Sequence, residues 1–256
     1  MTAAAEVPVA PEVPAAPEVP ADRLYFRQLL AGSDFAGDDP VALQMVNLVY
    51  LIGDRETGEA VAVDPAYDPG AILAILEADG MRLTGVLATH HHPDHVGGDL
   101  FGHAIVGIAA LLEQAAVPIH ANEHEVEWIE ATTGVGRDGI VAHDGGDVLE
   151  VGGIPIHLLH TPGHTPGSQC FLVDGRLVAG DTLFLRGCGR TDFPGGDPAA
   201  MYDSLVNRLA KLPDETVLYP GHLYSPEASA PLGETRRKNP VLAPRGAEAW
   251  LRLFGR

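Results

Sequence analysis

The chain has 256 residues, and its 35 acidic and 16 basic side chains give a formal net charge of −19 at pH 7. With 46% hydrophobic residues, a chain of this length can bury a substantial core, which excludes a wholly disordered protein. Because nucleic-acid binding requires positive charge to meet the phosphates, this net charge argues against a nucleic-acid partner. The two cysteines, Cys170 and Cys188, have no Cys-x-x-Cys spacing and exclude a disulfide framework.

The first twenty residues contain prolines at positions 8, 11, 14, 17 and 20. Polyproline II has three residues per turn, so this period predicts a stiff, solvated arm. We expect a disordered proline-rich arm over residues 1–22, with a docking peptide as the alternative, and one domain with a short basic C-terminal extension over residues 23–256. No signal peptide is recognisable, and no stretch approaches the about 18 apolar residues of a membrane span. The expected location is the cytoplasm, without membrane association.

From residue 24 onward, the hydrophobic pattern predicts an α/β domain in which helices cover mixed sheets. The predicted strands are 46–52, 60–63, 83–88, 117–120, 148–151, 154–160, 169–173, 176–179 and 217–219. The predicted helices are 69–79, 123–131 and 198–212. The last of these helices has its apolar residues at a helical spacing, at Met201, Leu205, Leu209 and Leu212.

Four histidines and one aspartate follow the predicted strand 83–88, within residues 90–95. Alternate residues of an extended loop share a side, so His90, His92 and Asp94 can converge while His91 faces away. His95 offers a further ligand from the next turn. Neutral imidazole and carboxylate are ligands for Zn²⁺, Mn²⁺ and Fe²⁺. The position after an apolar strand favours a metal site over a solvated histidine run.

Three further ligand-type residues, His164, Asp181 and His222, each follow a predicted strand and lie beside glycine. Glycine lets the backbone approach a metal closely. Seven potential ligands from four strand ends are enough for two metal ions. The remaining histidines lack this setting and are interpreted as surface or structural residues, with His91 as a spacer or a residue behind the ligands.

The signature His-x-His-x-Asp-His, followed by a lone histidine, an aspartate and a last histidine, resembles that of the metallo-β-lactamase fold superfamily, and the match runs from about residue 24 to 240. The resemblance implies a four-layered αβ/βα sandwich with two metals at one edge between the sheets. It also implies that three histidines hold the first metal, that Asp94 and two histidines hold the second, and that Asp181 bridges both. The first set is His90, His92 and His164, and the second is Asp94, His95 and His222.

Two divalent ions lower the pKa of a bound water and polarise a carbonyl, which indicates hydrolysis. Asp94 would orient the attacking hydroxide. Zinc is the favoured metal, with iron and manganese as alternatives. The sequence contains no Gly-x-Ser-x-Gly elbow, so a serine nucleophile is not expected.

The segment 181–197 resembles the glyoxalase II branch of the superfamily, and equally the persulfide dioxygenases. The first resemblance implies hydrolysis of a thioester such as S-lactoylglutathione by two metals. The second implies a single Fe²⁺ held by His90, His164 and Asp181, which acts on glutathione persulfide with O₂. We take the thioester hydrolase as the main interpretation and the dioxygenase as the alternative. A non-catalytic or nucleic-acid-processing relative is a third interpretation, which the net charge opposes.

Either branch implies a small anionic thiol conjugate as substrate. Glyoxalase II carries a helical C-terminal domain with basic residues, whereas only 34 residues follow His222 here. Those residues include Arg236, Arg237 and Lys238, which we predict attract the anionic substrate, with a solvated basic tail as the alternative. We also predict that Arg190 and Asp192 orient the substrate, with a structural ion pair as the alternative.

Overall fold

The structure is a computed structural model that describes residues 19–243 and 246–255. Most of the predicted arm therefore lies outside the described residues. Of its described part, Val19 packs against a cluster of buried side chains, and the carbonyl of Pro20 accepts hydrogen bonds from Arg23 and Leu24. The proposed domain boundary at residue 23 therefore lies next to residues that already contact the core.

Fourteen strands and eight α-helices make up the described part of the chain. The strands are β1 Leu24–Leu30, β2 Leu48–Asp54, β3 Glu59–Val63, β4 Arg82–Leu87, β5 Gly98–Leu100, β6 His103–Ile105, β7 Ile119–Asn122, β8 Ile140–His143, β9 Val148–Val151, β10 Ile154–His160, β11 Gln169–Val173, β12 Arg176–Val178, β13 Val217–Tyr219 and β14 Ala230–Pro231. The helices are α1 Pro40–Met45, α2 Pro69–Ala78, α3 Pro93–Val96, α4 Ile108–Gln114, α5 Val126–Thr133, α6 Pro198–Tyr202, α7 Leu232–Lys238 and α8 Ala247–Phe254.

Two six-stranded mixed sheets form the centre of the fold. The first has the order β1-β2-β3-β4-β7-β8, and the second has the order β14-β13-β12-β11-β10-β9. Strand β2 is buried along its whole length, because it is a central strand with apolar side chains on both faces. A separate hairpin, β5-β6, follows α3.

Three apolar layers hold these sheets and helices together. One lies between the two sheets and includes Tyr50 and Val63 from the first sheet and Phe171 from the second. Another contains residues of the first sheet with Ile72 and Leu111 of the helices α2 and α4. The third contains residues of the second sheet with residues of α6, α7 and α8. This is the order helix, sheet, sheet, helix, so the predicted four-layered αβ/βα sandwich is confirmed.

The predicted helix 198–212 is broken in the structure. Helix α6 passes into a π-helical stretch at Asp203–Arg208 and a 3₁₀ turn at Leu209–Lys211. The apolar side chains still face the core, since Met201, Leu205 and Leu209 are fully buried. The spacing therefore located the buried face, while the wider π turn is a tertiary adjustment with the same apolar residues inside.

The C-terminal segment forms part of the core rather than only a solvated tail. Trp250 of α8 is fully buried, contacts the rings of Tyr202 and Phe254, and donates its indole N–H to the carbonyl of Val241 at 2.9 Å. Within the described residues, none of the helices has the length and apolar character needed to cross a bilayer.

Candidate metal centre

All seven predicted ligands lie together at one edge of the two sheets. Those of residues 90–95 follow β4 of the first sheet, and Asp94 and His95 lie on α3. His164 lies in the loop between β10 and β11, while Asp181 and His222 follow the parallel neighbours β12 and β13. The ends of strands from both sheets therefore bring side chains far apart in sequence to one place.

Close backbone packing at this edge requires glycine. Gly180 has a φ of +48°, and a Cβ there would lie 2.6 Å from Oγ1 of Thr89. A Cβ on Gly221 would lie 2.4 Å from Oδ1 of Asp181. The two glycines therefore let Asp181 and His222 approach the loop after β4.

The first cluster consists of His90, His92 and His164. Nδ1 of His92 lies 3.1 Å from Nε2 of His90 and 2.9 Å from Nε2 of His164. His90 and His164 are buried, whereas His92 is partly exposed toward the opening of the site. Three imidazole nitrogens at this spacing form a group that could hold one metal ion.

The second cluster consists of Asp94, His95 and His222, with one oxygen of Asp181. Oδ2 of Asp94 lies 3.5 Å from Nε2 of His95 and 3.4 Å from Nε2 of His222. Oδ1 of Asp181 lies 3.4 Å and 3.3 Å from the same two nitrogens, which are 3.3 Å apart. Ligands about 2.0–2.1 Å from a tetrahedral metal are about 3.3–3.4 Å from one another. Asp94, His95 and His222 therefore form a group that could hold one ion, with Oδ1 of Asp181 beside the two histidines.

Asp181 lies between the two clusters. While its Oδ1 faces the second cluster, its Oδ2 lies 3.8 Å from Nε2 of His164 in the first. Oδ1 is buried and accepts no hydrogen bond from any described residue. A buried carboxylate oxygen without a well-formed hydrogen bond is costly, and a cation would compensate it. The donor set therefore fits two divalent ions with Asp181 between them.

The ligand histidines are oriented by hydrogen bonds on their far side. His164 and His222 donate from Nδ1 to the carbonyls of Arg190 and Met45, at 2.6 Å and 2.7 Å. Nδ1 of His95 lies 2.9 Å from Oδ2 of Asp64. Such partners fix the tautomer, so that Nε2 of each ring is left as an acceptor for a metal.

His90 is oriented through Thr89. The hydroxyl of Thr89 donates to Oδ2 of Asp64 at 2.6 Å, and it therefore accepts from Nδ1 of His90 at 2.9 Å. The backbone N–H of Thr89 donates to the other oxygen of Asp64 at 2.7 Å. Asp64 is thus a buried acceptor behind both clusters, which the sequence analysis did not identify.

The two clusters differ in their electrostatics. Burial lowers the pKa of His90 well below its ordinary value and that of His92 to about 3, which favours neutral imidazoles. Burial also lowers the pKa of His95, but Asp94 and Asp181 outweigh it and raise the value to about 10. The first cluster therefore presents neutral nitrogen donors, and the second presents carboxylates that attract a cation.

A chain of hydrogen bonds supports Asp94. Nδ2 of Asn47 donates to the carbonyl oxygen of Asp94 at 3.0 Å and to its Oδ2 at 3.2 Å. The hydroxyl of Tyr67 donates to Oδ1 of Asn47 at 2.7 Å, which sets the orientation of the amide. Tyr67 and Asp64 have φ values of +73° and +53°, an unusual conformation outside glycine that often occurs near functional sites.

The predicted substrate residues Arg190 and Asp192 lie at the opening of the site. They form a bidentate ion pair with distances of 2.8 Å and 2.7 Å, and both side chains are exposed. The guanidinium of Arg190 lies 4.4 Å from the ring centre of Phe193, and that ring contacts His92. Arg190 is therefore one aromatic ring away from the first cluster.

The basic residues of α7 are less directly placed. Arg236 bonds to the carboxylate of Asp214 and the carbonyl of Leu212, and Lys238 pairs with Glu234. Arg237 is exposed. Asn239, directly after α7, bonds to the backbone of Phe184 and Gly187 in the loop that follows Asp181. The C-terminal end of α7 thus contacts the site's loop, but none of the three basic side chains has a described hydrogen bond or ring contact to a ligand.

Comparison with known proteins agrees with this geometry. Residues 44–222 match the sequence profile of the metallo-beta-lactamase superfamily. A hydroxyacylglutathione hydrolase from Nitrosococcus oceani is 37% identical over 182 residues, which cover 70% of this chain and 62% of that protein. One from Rhodopseudomonas palustris is 38% identical over 181 residues, covering 70% and 63%. The chain thus spans less than two thirds of the length of these curated relatives.

Two solved structures are similar over more of their length. ETHE1 from Myxococcus xanthus is 31% identical with a TM-score of 0.73, and the alignment covers 90% of each chain. TTHA1623, solved in a di-iron-bound form, is 30% identical with a TM-score of 0.64, covering 77% of this chain and 96% of that one. The profile match, the paired metal clusters and these relatives together show that the chain belongs to the metallo-beta-lactamase superfamily.

Proposed function

We propose that this chain is a metal-dependent hydrolase that cleaves thioesters of a small anionic thiol, such as S-lactoylglutathione, with two divalent ions. The observation that carries the proposal is the second cluster, in which Asp94, His95 and His222 have the spacing of ligands to one metal and Oδ1 of Asp181 lies beside the two histidines. A single-metal enzyme that used only His90, His164 and Asp181 would leave Asp94, His95 and His222 without a role. Those three are buried and face a common point.

The chemistry follows from where these residues lie. When bound, two divalent ions would supply a water of lowered pKa and polarise the carbonyl of the thioester. Asp94, held by Asn47, would accept a hydrogen bond from the attacking water and orient it. Water adds to the carbonyl carbon, the carbon–sulfur bond breaks, and the thiol leaves with a proton. The product is a free acid and a thiol.

The substrate would enter over the rim formed by Arg190 and Phe193. Because Arg190 is exposed and paired only at the surface, its guanidinium could exchange Asp192 for a carboxylate of the substrate. Arg237 and Lys238 would add a weaker attraction from the end of α7.

Zinc is the proposed metal, and iron is the alternative because TTHA1623 was solved in a di-iron-bound form. Two free cysteines and a glutathione-type substrate are in keeping with a cytoplasmic location.

The curated relatives support the thioester class, since the hydrolases from Nitrosococcus oceani and Rhodopseudomonas palustris bear the name of that reaction. The alternative function is a sulfur dioxygenase with one Fe²⁺ at His90, His164 and Asp181. It is in keeping with the similarity to ETHE1 from Myxococcus xanthus over 90% of each chain. The segment from Gly187 to Phe193 resembles that class as well.

One experiment separates the two functions. Purified protein is analysed for iron, zinc and manganese per chain, then assayed for S-lactoylglutathione hydrolysis and, in an oxygen electrode, for O₂ uptake with glutathione persulfide. We expect two ions per chain, thioester hydrolysis and a flat O₂ trace. A single iron per chain with rapid O₂ uptake and no thioesterase activity after zinc is restored would replace the hydrolase with the dioxygenase.

A further inference from the structure

Glu125 is a fully buried carboxylate that lies outside the ligand set. It is at the start of α5, at the end of a 3₁₀ turn over Glu123–Glu125. A charged side chain is almost never fully buried unless it is paired or well hydrogen-bonded. The hydrogen-bond partners of Glu125 therefore indicate what its buried carboxylate does.

Four donors bond to this carboxylate, two on each oxygen. Oε1 accepts from the backbone N–H of His91 at 2.9 Å and from its Nδ1 at 2.5 Å. Oε2 accepts from the hydroxyl of Thr165 at 3.1 Å and from the backbone N–H of Gly167 at 2.7 Å. Each oxygen thus binds one loop, and the side chain of Glu125 connects the two loops.

Each histidine of the first cluster is next in sequence to a residue that Glu125 holds. His91 lies between His90 and His92, and Thr165 directly follows His164. Of the two distances that define the first cluster, the 3.1 Å between His90 and His92 lies within one of these loops, and the 2.9 Å between His92 and His164 joins the two. No described hydrogen bond of Glu125 reaches the second cluster, so its influence is confined to one side of the centre.

The ring of His91 completes the arrangement. It stacks on Trp128 of α5, with ring centres 4.8 Å apart and planes at 25°. Because Nδ1 of His91 is directed at Glu125, that nitrogen is not offered to a metal, although the ring also contacts the ring of His92, with centres 4.9 Å apart. Helix α5 is thereby joined to the middle of the metal-binding loop by both a carboxylate and an aromatic contact.

We infer that Glu125 is a positioning residue that sets the spacing of His90, His92 and His164 by holding their two loops with one carboxylate. The assignment deepens the proposed function, because it concerns how the first ion would be held. It does not depend on which reaction follows, since both candidate reactions use His90 and His164.

The charge is essential to this role, because all four partners are donors. In Glu125→Gln, one oxygen becomes an NH₂ group of similar size. Whichever way the amide is turned, that NH₂ faces a buried backbone N–H, of Gly167 in one orientation and of His91 in the other. One loop must therefore move away, although the volume of the side chain is unchanged.

The test is a Zn²⁺ and Co²⁺ titration against a chromophoric chelator, made in a His222→Ala background so that the first cluster is measured without a complete second one. We expect Glu125→Gln to weaken binding by about 10- to 100-fold and to alter the visible spectrum of bound Co²⁺. Glu127→Gln, an exposed neighbour on α5, is the matched control and should leave both unchanged.

A merely structural role would lower the Tm of Glu125→Gln and leave the metal affinity and the Co²⁺ spectrum of the folded protein as they were, which would overturn the inference. If Glu125→Gln does not fold, the same metal titration is made with Thr165→Val. That variant removes one donor with little change of volume, and we expect about a 10-fold loss of affinity. Unchanged affinity in folded Thr165→Val would equally overturn it. Since no substrate is present, neither result depends on the proposed activity.

Discussion

The two halves of the metal centre are supported in different ways. The histidines of the first cluster lie on loops that one carboxylate, Glu125, holds from the side of α5. The second cluster is set deeper, on α3 and the ends of β12 and β13, with Asp64 and Asn47 behind it. Asp181 contacts both clusters, and the rings of His90 and His95 also touch between them, with centres 4.2 Å apart. The open half therefore suits contact with substrate, and the buried, anionic half suits retention of an ion.

The largest effect is expected from the residue that the two halves share. Asp181→Ala removes the oxygens that face both clusters, so we expect loss of metal from both and activity below detection. Metal content per chain and turnover are the measurements, and Asp138→Ala, an exposed aspartate, is the control. Unchanged turnover would mean that the centre has been assigned to the wrong residues.

Replacing one ligand from each half separates the two candidate reactions. His164→Ala should abolish either activity, because both schemes need that ring. His222→Ala should lower thioester hydrolysis by more than about 100-fold, since losing even a hydrogen-bond partner of a ligand costs 10- to 100-fold. If His222→Ala instead keeps one iron and full O₂ uptake with persulfide, the second half is not part of the reaction.

The support of the buried half can be tested without touching a ligand. Tyr67→Phe removes the hydroxyl that orients Asn47, so we expect Asp94 to be held less firmly and the second ion to bind about 10-fold more weakly. Tyr25→Phe is a matched control, because it also removes one buried tyrosine hydroxyl. That hydroxyl donates to Asp79, which is not one of the predicted ligands. Equal effects of both variants on metal affinity would contradict a specific role for Tyr67.

The seven candidate ligands could be found from the sequence because each follows an apolar strand, and three of them, His164, Asp181 and His222, also lie directly after a glycine. Glu125, Asp64 and Asn47 could not be identified from the sequence in this way. Each lies 25 or more residues from the site residues it contacts, in segments whose patterns indicate only an ordinary helix or strand. A buried carboxylate is recognisable only when the donors around it are known.

The same limit applies to the fold. Strand β2 was expected to end at residue 52, but it continues through Gly53 and Asp54. Asp54 remains in the strand because its carboxylate bonds to Arg23 and to the N–H of Gly153, a neighbour 99 residues away. A Gly-Asp pair usually indicates a turn. Partners distant in sequence, which no local pattern encodes, override that preference here.

His91→Ala tests the spacer role of the one histidine among residues 90–95 that is not a predicted ligand. Its side chain bonds to Glu125, stacks on Trp128 and contacts the ring of His92 without a hydrogen bond to it, and its backbone N–H survives the substitution. We therefore expect turnover within about 10-fold of the wild type and both ions retained, below the effect of removing a ligand. Loss of a metal ion from this variant would show that His91 is itself a ligand.

The smallest effect is expected at a histidine pair outside the centre. Nδ1 of His120 lies 2.9 Å from Nε2 of His143, and burial, with a smaller contribution from His143, lowers the pKa of His120 to about 4. The unfolded chain has an ordinary histidine pKa of about 6.5, so it binds a proton that the folded chain resists. The contribution of neutral His120 to the free energy of unfolding is therefore complete above about pH 6.5. It is lost as the pH falls from there toward 4.

We therefore expect the Tm of the wild type to fall more steeply between pH 6.5 and pH 4 than that of His120→Gln, by about 2–4 °C. The difference between the two curves isolates His120, since the metal ligands are common to both proteins. His103→Gln, at an exposed position, should follow the wild-type curve. Parallel curves for the wild type and His120→Gln would mean that His120 takes up a proton as readily in the folded as in the unfolded chain, so that the pair makes no pH-dependent contribution to stability.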